Sequence, residues 1–270
     1  MKLKSISKLY MGLIFFFLYS PLVVLIAFSF NESKSRNVWT VFSLKWYANL
    51  FADKEILRAL FNTIVVAVIA SVLATIIGTI ACFGILKMKK WTKKFIMNVN
   101  NLPIVNPEIV TGVSLMLLFV FTYNTFGIFR PGILTLILSH TTFCLPYVVL
   151  SVLPKLRQIN PYLYEAAQDL GCTPSRAFFK VILPDIMPGP EIMPGIVTGM
   201  IMAFTLSLDD FVISYFTSGT TQTLPIAIYS MTRKIVSPEI NALSTILFAV
   251  VLFLLLVVNI RQTKYLSKKD

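Results

Sequence analysis

Apolar runs of about twenty residues recur along this chain, and no other feature restricts its fold so severely. A run of that length, as α-helix, matches the ~30 Å hydrocarbon core of a bilayer. Inside lipid every backbone N–H and C=O must be satisfied within the chain, which an α-helix does by itself. The runs read as six spans, at about 9–30, 61–86, 95–121, 132–153, 194–216 and 240–260. The expectation is an all-α membrane protein with six transmembrane helices, forming a single transmembrane domain over residues 1–270. Charged residues make up 13% of the chain, about half the share found in soluble domains. The net charge of +12 therefore reads as a topology signal rather than as a nucleic-acid surface. The first run is too long for a secretory signal, and no small-x-small cleavage site follows it, so it is read as a retained helix.

Orientation follows from the basic residues. Sixteen of the 24 Lys and Arg fall at the N-terminus (Lys2, Lys4, Lys8), between spans two and three (Lys87, Lys89, Lys90, Lys93, Lys94), between spans four and five (Lys155, Arg157, Arg176, Lys180) and at the C-terminus (Arg261, Lys264, Lys268, Lys269). The positive-inside bias places these segments, and both termini, in the cytoplasm. On the opposite side, Trp46, Tyr47, Leu50 and Phe51 fall at helical spacing, which predicts a short helix at the interface. Trp39 and Trp46 read as aromatic-belt anchors.

The connection 154–193 is the most informative stretch on the cytoplasmic side. Asn160 can cap a helix and Pro161 suits its first position. Leu163, Ala166, Ala167 and Leu170 then recur as one apolar stripe. Gly171 stands where a helix ends in a left-handed residue. Thr173 and Pro174 start a second short helix through Arg176, Phe178 and Val181, which stops before Pro184. A helix this short is not stable alone in water. It rests either on its own membrane domain or on a partner protein.

Three acids fall inside apolar spans: Glu108, Asp209 and Asp210. Each costs ~2.5–3.5 kcal/mol at the bilayer centre, so such residues face a cavity or a bundle interior. Glu108 reads as near mid-depth, in a helix interrupted by Pro103 and Pro107 and rich in asparagine (Asn98, Asn100, Asn101, Asn106). Broken helices often mark transport sites; the alternative is a structural carboxylate bonded to those asparagines. Asp209 and Asp210 lie about 22 Å beyond Pro194 along a helix, in the outer half of the membrane. Adjacent helical positions point ~100° apart, so one of the pair is expected to face a pathway and the other to pair within the protein. Acids in a pathway imply a cationic cargo. Tyr123, Phe211, Tyr215 and Tyr229 are candidate aromatics for its ammonium groups and methylene chains, and a polyamine has that chemistry. A Lys or Arg elsewhere in the bundle is the alternative partner for the acids.

Other chemistry finds little support. None of the eleven glycines begins a Gly-x-x-x-x-Gly-Lys-[Ser/Thr] phosphate loop, so any ATP must be hydrolysed by another polypeptide. Cys82, Cys144 and Cys172 have no metal-ligand spacing and read as free thiols. His140, the single histidine, reads as a hydrogen-bonded residue of the bundle rather than a metal ligand. No nucleophile–base constellation is evident, so a catalytic role is not expected. Gly195 and Gly199 form a small-xxx-small pair of the kind that lets helices pack closely.

Glu165-Ala166-Ala167, then Gly171, then Leu183-Pro184 resembles the cytoplasmic loop signature of ABC importer permeases: Glu-Ala-Ala, three residues, Gly, nine residues, Ile, one residue, Leu-Pro. Val181 stands at the Ile position. The stretch 204–214, the segments 224–230 and 237–245, Ser139–Pro146 and Phe28–Asn31 are similar to spermidine/putrescine permease subunits of the PotC type. The resemblance implies the type I ABC importer permease fold, in a multi-pass protein of the bacterial cytoplasmic membrane. It implies that 154–193 is the coupling loop, with Glu165, Ala166, Ala167, Gly171, Leu183 and Pro184 meeting the ATPase. It further implies three kinds of partner protein subunit: a second permease of the PotB type, two ATPase copies of the PotA type that use ATP and Mg, and an extracytoplasmic polyamine-binding protein of the PotD type. This chain itself would bind no cofactor and no metal. Related importers of iron, sulfate or thiamine share the loop signature, and an ATP-independent secondary transporter is the alternative of a different class. One departure is the near-repeat Pro184-Asp-Ile-Met-Pro-Gly189, Pro190-Glu-Ile-Met-Pro-Gly195, where the family pattern has one such unit. The insert either reshapes the joint between loop and membrane or is a tolerated loop.

Overall fold

The computed structural model describes residues 2–33, 38–157, 162–173, 176–177, 192–233 and 238–266. Among them the chain is helical: α1 (Lys2–Ser29), α2 (Lys45–Ala52), α3 (Lys54–Lys87), α4 (Lys90–Val105), α5 (Glu108–Phe126), α6 (Ile133–Leu156), α7 (Tyr162–Asp169), α8 (Met193–Asp209), α9 (Val212–Thr217), α10 (Leu224–Arg233) and α11 (Glu239–Leu266). One isolated bridge pairs Asn31 with Phe42. Four stretches are long and apolar enough to cross a bilayer: Tyr10–Ser29, Lys54–Lys87, Glu108–Phe126 and Ile133–Leu156. Met193–Asp209 and Glu239–Phe253 are shorter apolar helices.

Two of the six expected spans are divided. The run 95–121 is not one helix. It is α4 and α5, separated at Asn106–Pro107. Proline disfavours helical backbone at the residue before it, and Asn106 is extended, its N–H closing the last turn of α4 on the Leu102 carbonyl at 2.9 Å. Glu108 is consequently the first residue of α5, where an acid suits the positive end of a helix, rather than a mid-helix residue. The run 194–216 is likewise α8 and α9, separated at Asp210–Phe211.

Two compact units make up the chain, Ala59–Ile226 and Met1–Arg58 with Ala227–Asp270. In the first, α6 is the central helix. Val148, Val149 and Val152 on α6 pack in one core with Ala74 and Cys82 of α3, Ala203 of α8 and Ile213 of α9. Small residues let these backbones approach, as helices in lipid require because no hydrophobic effect drives them together. A Cβ built on Gly78 would lie 2.8 Å from Val148 Cγ1, and one on Gly199 would lie 3.3 Å from Val148 Cα. Val148 is thus held between two glycines of different helices.

In the second unit α1 and α2 pack against α11. Along Tyr10–Ser29 every residue but Ser29 is exposed or half-buried. The α1–α2 connection is built around Asn31. Its amide donates to the Val38 carbonyl at 2.8 Å and its side-chain oxygen accepts from the Thr40 N–H at 3.0 Å. The predicted helix over 46–51 is α2, and the two tryptophans beside it part company. Trp39 is 51% exposed, while Trp46 is 3% exposed and its indole N–H donates to the Asn31 carbonyl at 2.7 Å. Trp46 is therefore an interior pin, not the belt anchor expected from its type.

Candidate functional site

The two helix breaks of the Ala59–Ile226 unit meet. On α5, Gly112 stands one turn after Glu108, and a Cβ there would lie 3.0 Å from Phe216 Cδ2 and 3.5 Å from Ile213 Cα. That glycine lets α9 lie on α5. Residues four apart share a helix face, so Glu108 is on the face of α5 that meets the start of α9. Glu108 and Asp209 are both exposed and near enough for their charges to interact; Glu108 is also in electrostatic range of Tyr147 on α6. Among the described residues neither acid makes an ion pair with Lys or Arg, and Glu108 makes no hydrogen bond to the asparagines before it. Asn106 instead donates to the Thr111 hydroxyl at 3.3 Å.

Asp209 and Asp210 diverge because α8 ends at Asp209 and Asp210 takes extended backbone at the break. Asp210 is buried, and its carboxylate accepts the N–H groups of Ser214 at 2.8 Å and Ile213 at 3.3 Å, capping α9. Its Oδ2 lies 3.5 Å from His140 Nε2. His140 is buried on α6 with both ring nitrogens engaged, Nδ1 with the Ser207 hydroxyl at 2.7 Å and Nε2 with the Ser214 hydroxyl at 2.9 Å. A neutral imidazole donates from one nitrogen and accepts at the other. Placing the proton on Nε2 aims a donor at Ser214 and Asp210 and leaves Nδ1 to accept from Ser207. The reverse assignment would set a lone pair against the carboxylate.

The candidate aromatics are distributed over three helices and the break before α9. Tyr215, 52% exposed on α9, is 5.5 Å between centroids from both Phe211 and Phe216. Tyr229 lies on α10 in the other unit, with the Arg233 guanidinium 5.2 Å over its ring. Tyr123 is exposed near the end of α5. The site residues thus sort into two exposed acids in electrostatic range of each other (Glu108 and Asp209), a buried acid (Asp210), Tyr215 on α9, and Tyr229 on α10. Sequence reading did not reach the partnership of His140 with Asp210. It joins positions 70 residues apart on separate helices, and no periodicity reports such a pair.

The loop residues form a second group. α7 carries Glu165, Ala166 and Ala167; the Glu165 side chain lies outside the described residues, as do Asn160, Pro161, Leu183, Pro184 and most of the near-repeat 184–195. Gly171 has φ +83°. The Cys172 N–H reaches the Ala167 carbonyl at 3.1 Å and the Gly171 N–H the Gln168 carbonyl at 2.9 Å, the paired bonds of a left-handed helix terminus. Ala167 is buried, while Ala166 and Leu170 face outward, Leu170 with 86% of its surface exposed. The Leu163 side chain of the expected stripe lies outside the described residues.

Comparison with known proteins gives the setting for this geometry. The family model described as "Binding-protein-dependent transport system inner membrane component" matches residues 72–269. The putrescine transport system permease protein PotI of Escherichia coli K12 is 40% identical over 88% of this chain and 83% of its own length. The spermidine/putrescine transport system permease protein PotC of the same strain is 37% identical over 92% of this chain and 90% of its own. The Mycoplasma genitalium PotC homolog is 32% identical over 98% of this chain and 93% of its own. Among solved structures, a bacterial ABC transporter that imports the acidic polysaccharide alginate has a similar fold, with TM-score 0.70 at 17% identity over 98% of this chain and 95% of that one. An amino acid ABC transporter gives 0.57 at 18% identity, over 83% and 99%. The chain belongs to the binding-protein-dependent transport system inner membrane components, as a homologue of the putrescine and spermidine/putrescine permease proteins.

Proposed function

We propose that this chain is one of two permease subunits of an ATP-driven polyamine importer and forms half of the pathway through the membrane. The observation that carries the reading is the exposed pair Glu108 and Asp209, set at two helix breaks within range of each other and without a Lys or Arg ion pair among the described residues. Two carboxylates so placed favour a cation, and Tyr215, exposed on α9, offers a ring face to an ammonium group. The near full-length likeness to putrescine and spermidine/putrescine permeases supports the same cargo.

In this reading the chain crosses the membrane six times with both termini in the cytoplasm, α8 and α11 completing the four longer spans. Their lengths agree with such a role if α8 and α9 are counted as one broken crossing. The partners are a PotB-type permease, a pair of PotA-type ATPases that use ATP and Mg, and a PotD-type polyamine-binding protein. Loop 154–193 couples the ATPase cycle to the bundle, with Glu165, Ala166, Ala167, Gly171, Leu183 and Pro184 at the contact. The chain itself holds no ATP and catalyses no reaction. The bundle alternates between outward and inward access, and the acids guide the cation.

The test is uptake by proteoliposomes containing the chain with its genomic neighbours. Competition by putrescine and spermidine, but not by iron, sulfate or thiamine, is the expected result. Full uptake by the chain alone, without an ATPase, would overturn the reading.

A further inference from the structure

α9 is six residues long, far too short to hold its shape unaided, yet it carries Tyr215 and begins three residues after Asp209. Something outside it must hold it. Its N-terminus is capped by Asp210, and its C-terminal end is tied to α6, where the Thr135 hydroxyl lies 2.8 Å from the Thr217 carbonyl. Between these ties stands His140, whose two ring nitrogens grip opposite sides of the break, Ser207 on α8 and Ser214 on α9. One turn further along α6, the Cys144 thiol meets the Ala203 carbonyl of α8 at 3.3 Å. That contact holds α8 only. Among the described residues, His140 is the α6 side chain hydrogen-bonded to both helices at once.

We propose that His140 is a positioning residue for the cation site. It clamps α9 to α8 across the break at Asp210–Phe211, so that Tyr215 on α9 keeps a fixed position relative to Asp209 at the end of α8. The inference rests on the reading of Glu108, Asp209 and Tyr215 as a cation pathway, and it extends that reading to a residue that touches no cargo. Rigid placement matters because an aromatic face attracts a cation only within about 6 Å of the ring centre. A side chain carried on a loose six-residue turn would lose that geometry. Asp210 is in this account the fixed charge of the clamp, held by backbone N–H groups and the imidazole, and Asp209 is the free one.

The test uses the chain assembled with its ATPase and partner permease, with Cys172→Ser and Thr217→Cys introduced, so that N-ethylmaleimide labelling reports on α9. Thr217 is buried at the end of α9, and the native buried thiols Cys82 and Cys144 report on the rest of the core. In His140→Ala, residue 217 should label at least about tenfold faster while Cys82 and Cys144 stay protected. His140→Gln, which keeps a donor toward Asp210, should return the rate to within about threefold of the parent. The KM for putrescine should rise by about tenfold in His140→Ala with the maximal rate near the parent's, since placement rather than turnover is lost.

Unchanged labelling at 217, or equal opening of all three thiols, would overturn the clamp. Faster labelling with an unaltered KM would overturn its role in the cation site. If His140→Ala does not assemble, the double variant Ser207→Ala, Ser214→Ala removes the same bonds with little change in volume and is judged by the same readings. If the parent complex moves no polyamine, the transport reading fails, and labelling still decides whether His140 holds α9.

Discussion

Gly195 of α8 lies against Ser151 of α6 so closely that a Cβ on the glycine would stand 2.9 Å from the Ser151 carbonyl oxygen. With Gly199 one turn later, it sets the spacing of the most extensively packed helix pair among the described residues. The small-xxx-small spacing that is weak evidence in a sequence is here a physical contact. Backbone cannot move aside as the end of a long side chain can, so Gly195→Val should destabilise the chain by about 1–3 kcal/mol, the range for overpacking. Gly84 on α3 has open space where its Cβ would be, and Gly84→Ala should be neutral or stabilising by up to about 1 kcal/mol. Thermal unfolding in detergent, followed by size-exclusion chromatography, distinguishes the two. Equal melting behaviour would contradict the packing account.

The two adjacent aspartates should separate by phenotype. Asp210→Ala removes a helix cap and leaves a buried imidazole without its carboxylate, at a cost of about 0.5–2 kcal/mol or more. It should lower thermal stability and the yield of assembled complex. Asp209→Asn should leave both unchanged and reduce kcat/KM for putrescine about 10–100-fold, as expected for loss of a charged partner. Glu108→Gln should behave like Asp209→Asn. Uptake measured beside melting temperature tests the assignment; a stable Asp210→Ala together with an active Asp209→Asn would reverse it.

The connection after α1 offers a cleaner stability test. Trp46→Phe keeps most of the buried ring but strands the Asn31 carbonyl, and a buried acceptor without a donor costs about 1–3 kcal/mol. Trp39→Phe, at an exposed position, should fall within about 0.5 kcal/mol of the parent. Intrinsic fluorescence on heating would report both, and a larger effect from Trp39 would refute the interior role of Trp46.

Gly171 closes α7 in the left-handed region, where a side chain costs roughly 1–2 kcal/mol and asparagine is tolerated best. Gly171→Val should therefore disturb the end of α7, while Gly171→Asn should be mild. If this loop meets the ATPase, uptake and ATPase co-purification should both follow the order Gly, Asn, Val. Glu165→Arg should weaken co-purification without affecting membrane insertion. Full coupling in Gly171→Val would argue that the loop end is not part of the contact.

Much of the architecture could be read directly from the chain. Lipid demands internally satisfied backbone, so long apolar runs announced helices, and Gly171 announced a helix end because only glycine takes φ near +83° without strain. Pro107 likewise marked a break. The placement of Glu108 at a helix start rather than inside one was missed, because a proline signals that a helix stops and not whether another resumes in the next residue. The different fates of Trp39 and Trp46 were also beyond reach, since both have the composition of an interface anchor.

What residue type and spacing determined by themselves was local: helix, terminus, loop signature, and which charges are costly in a membrane. Which of two neighbouring aspartates is buried, which tryptophan is interior, and that one histidine on α6 joins α8 to α9 were decided by tertiary structure alone. Those outcomes depend on how helices distant in sequence turn toward one another. That rotation is set by the summed packing of many small contacts, such as Val148 between Gly78 and Gly199, and no single stretch of sequence contains it.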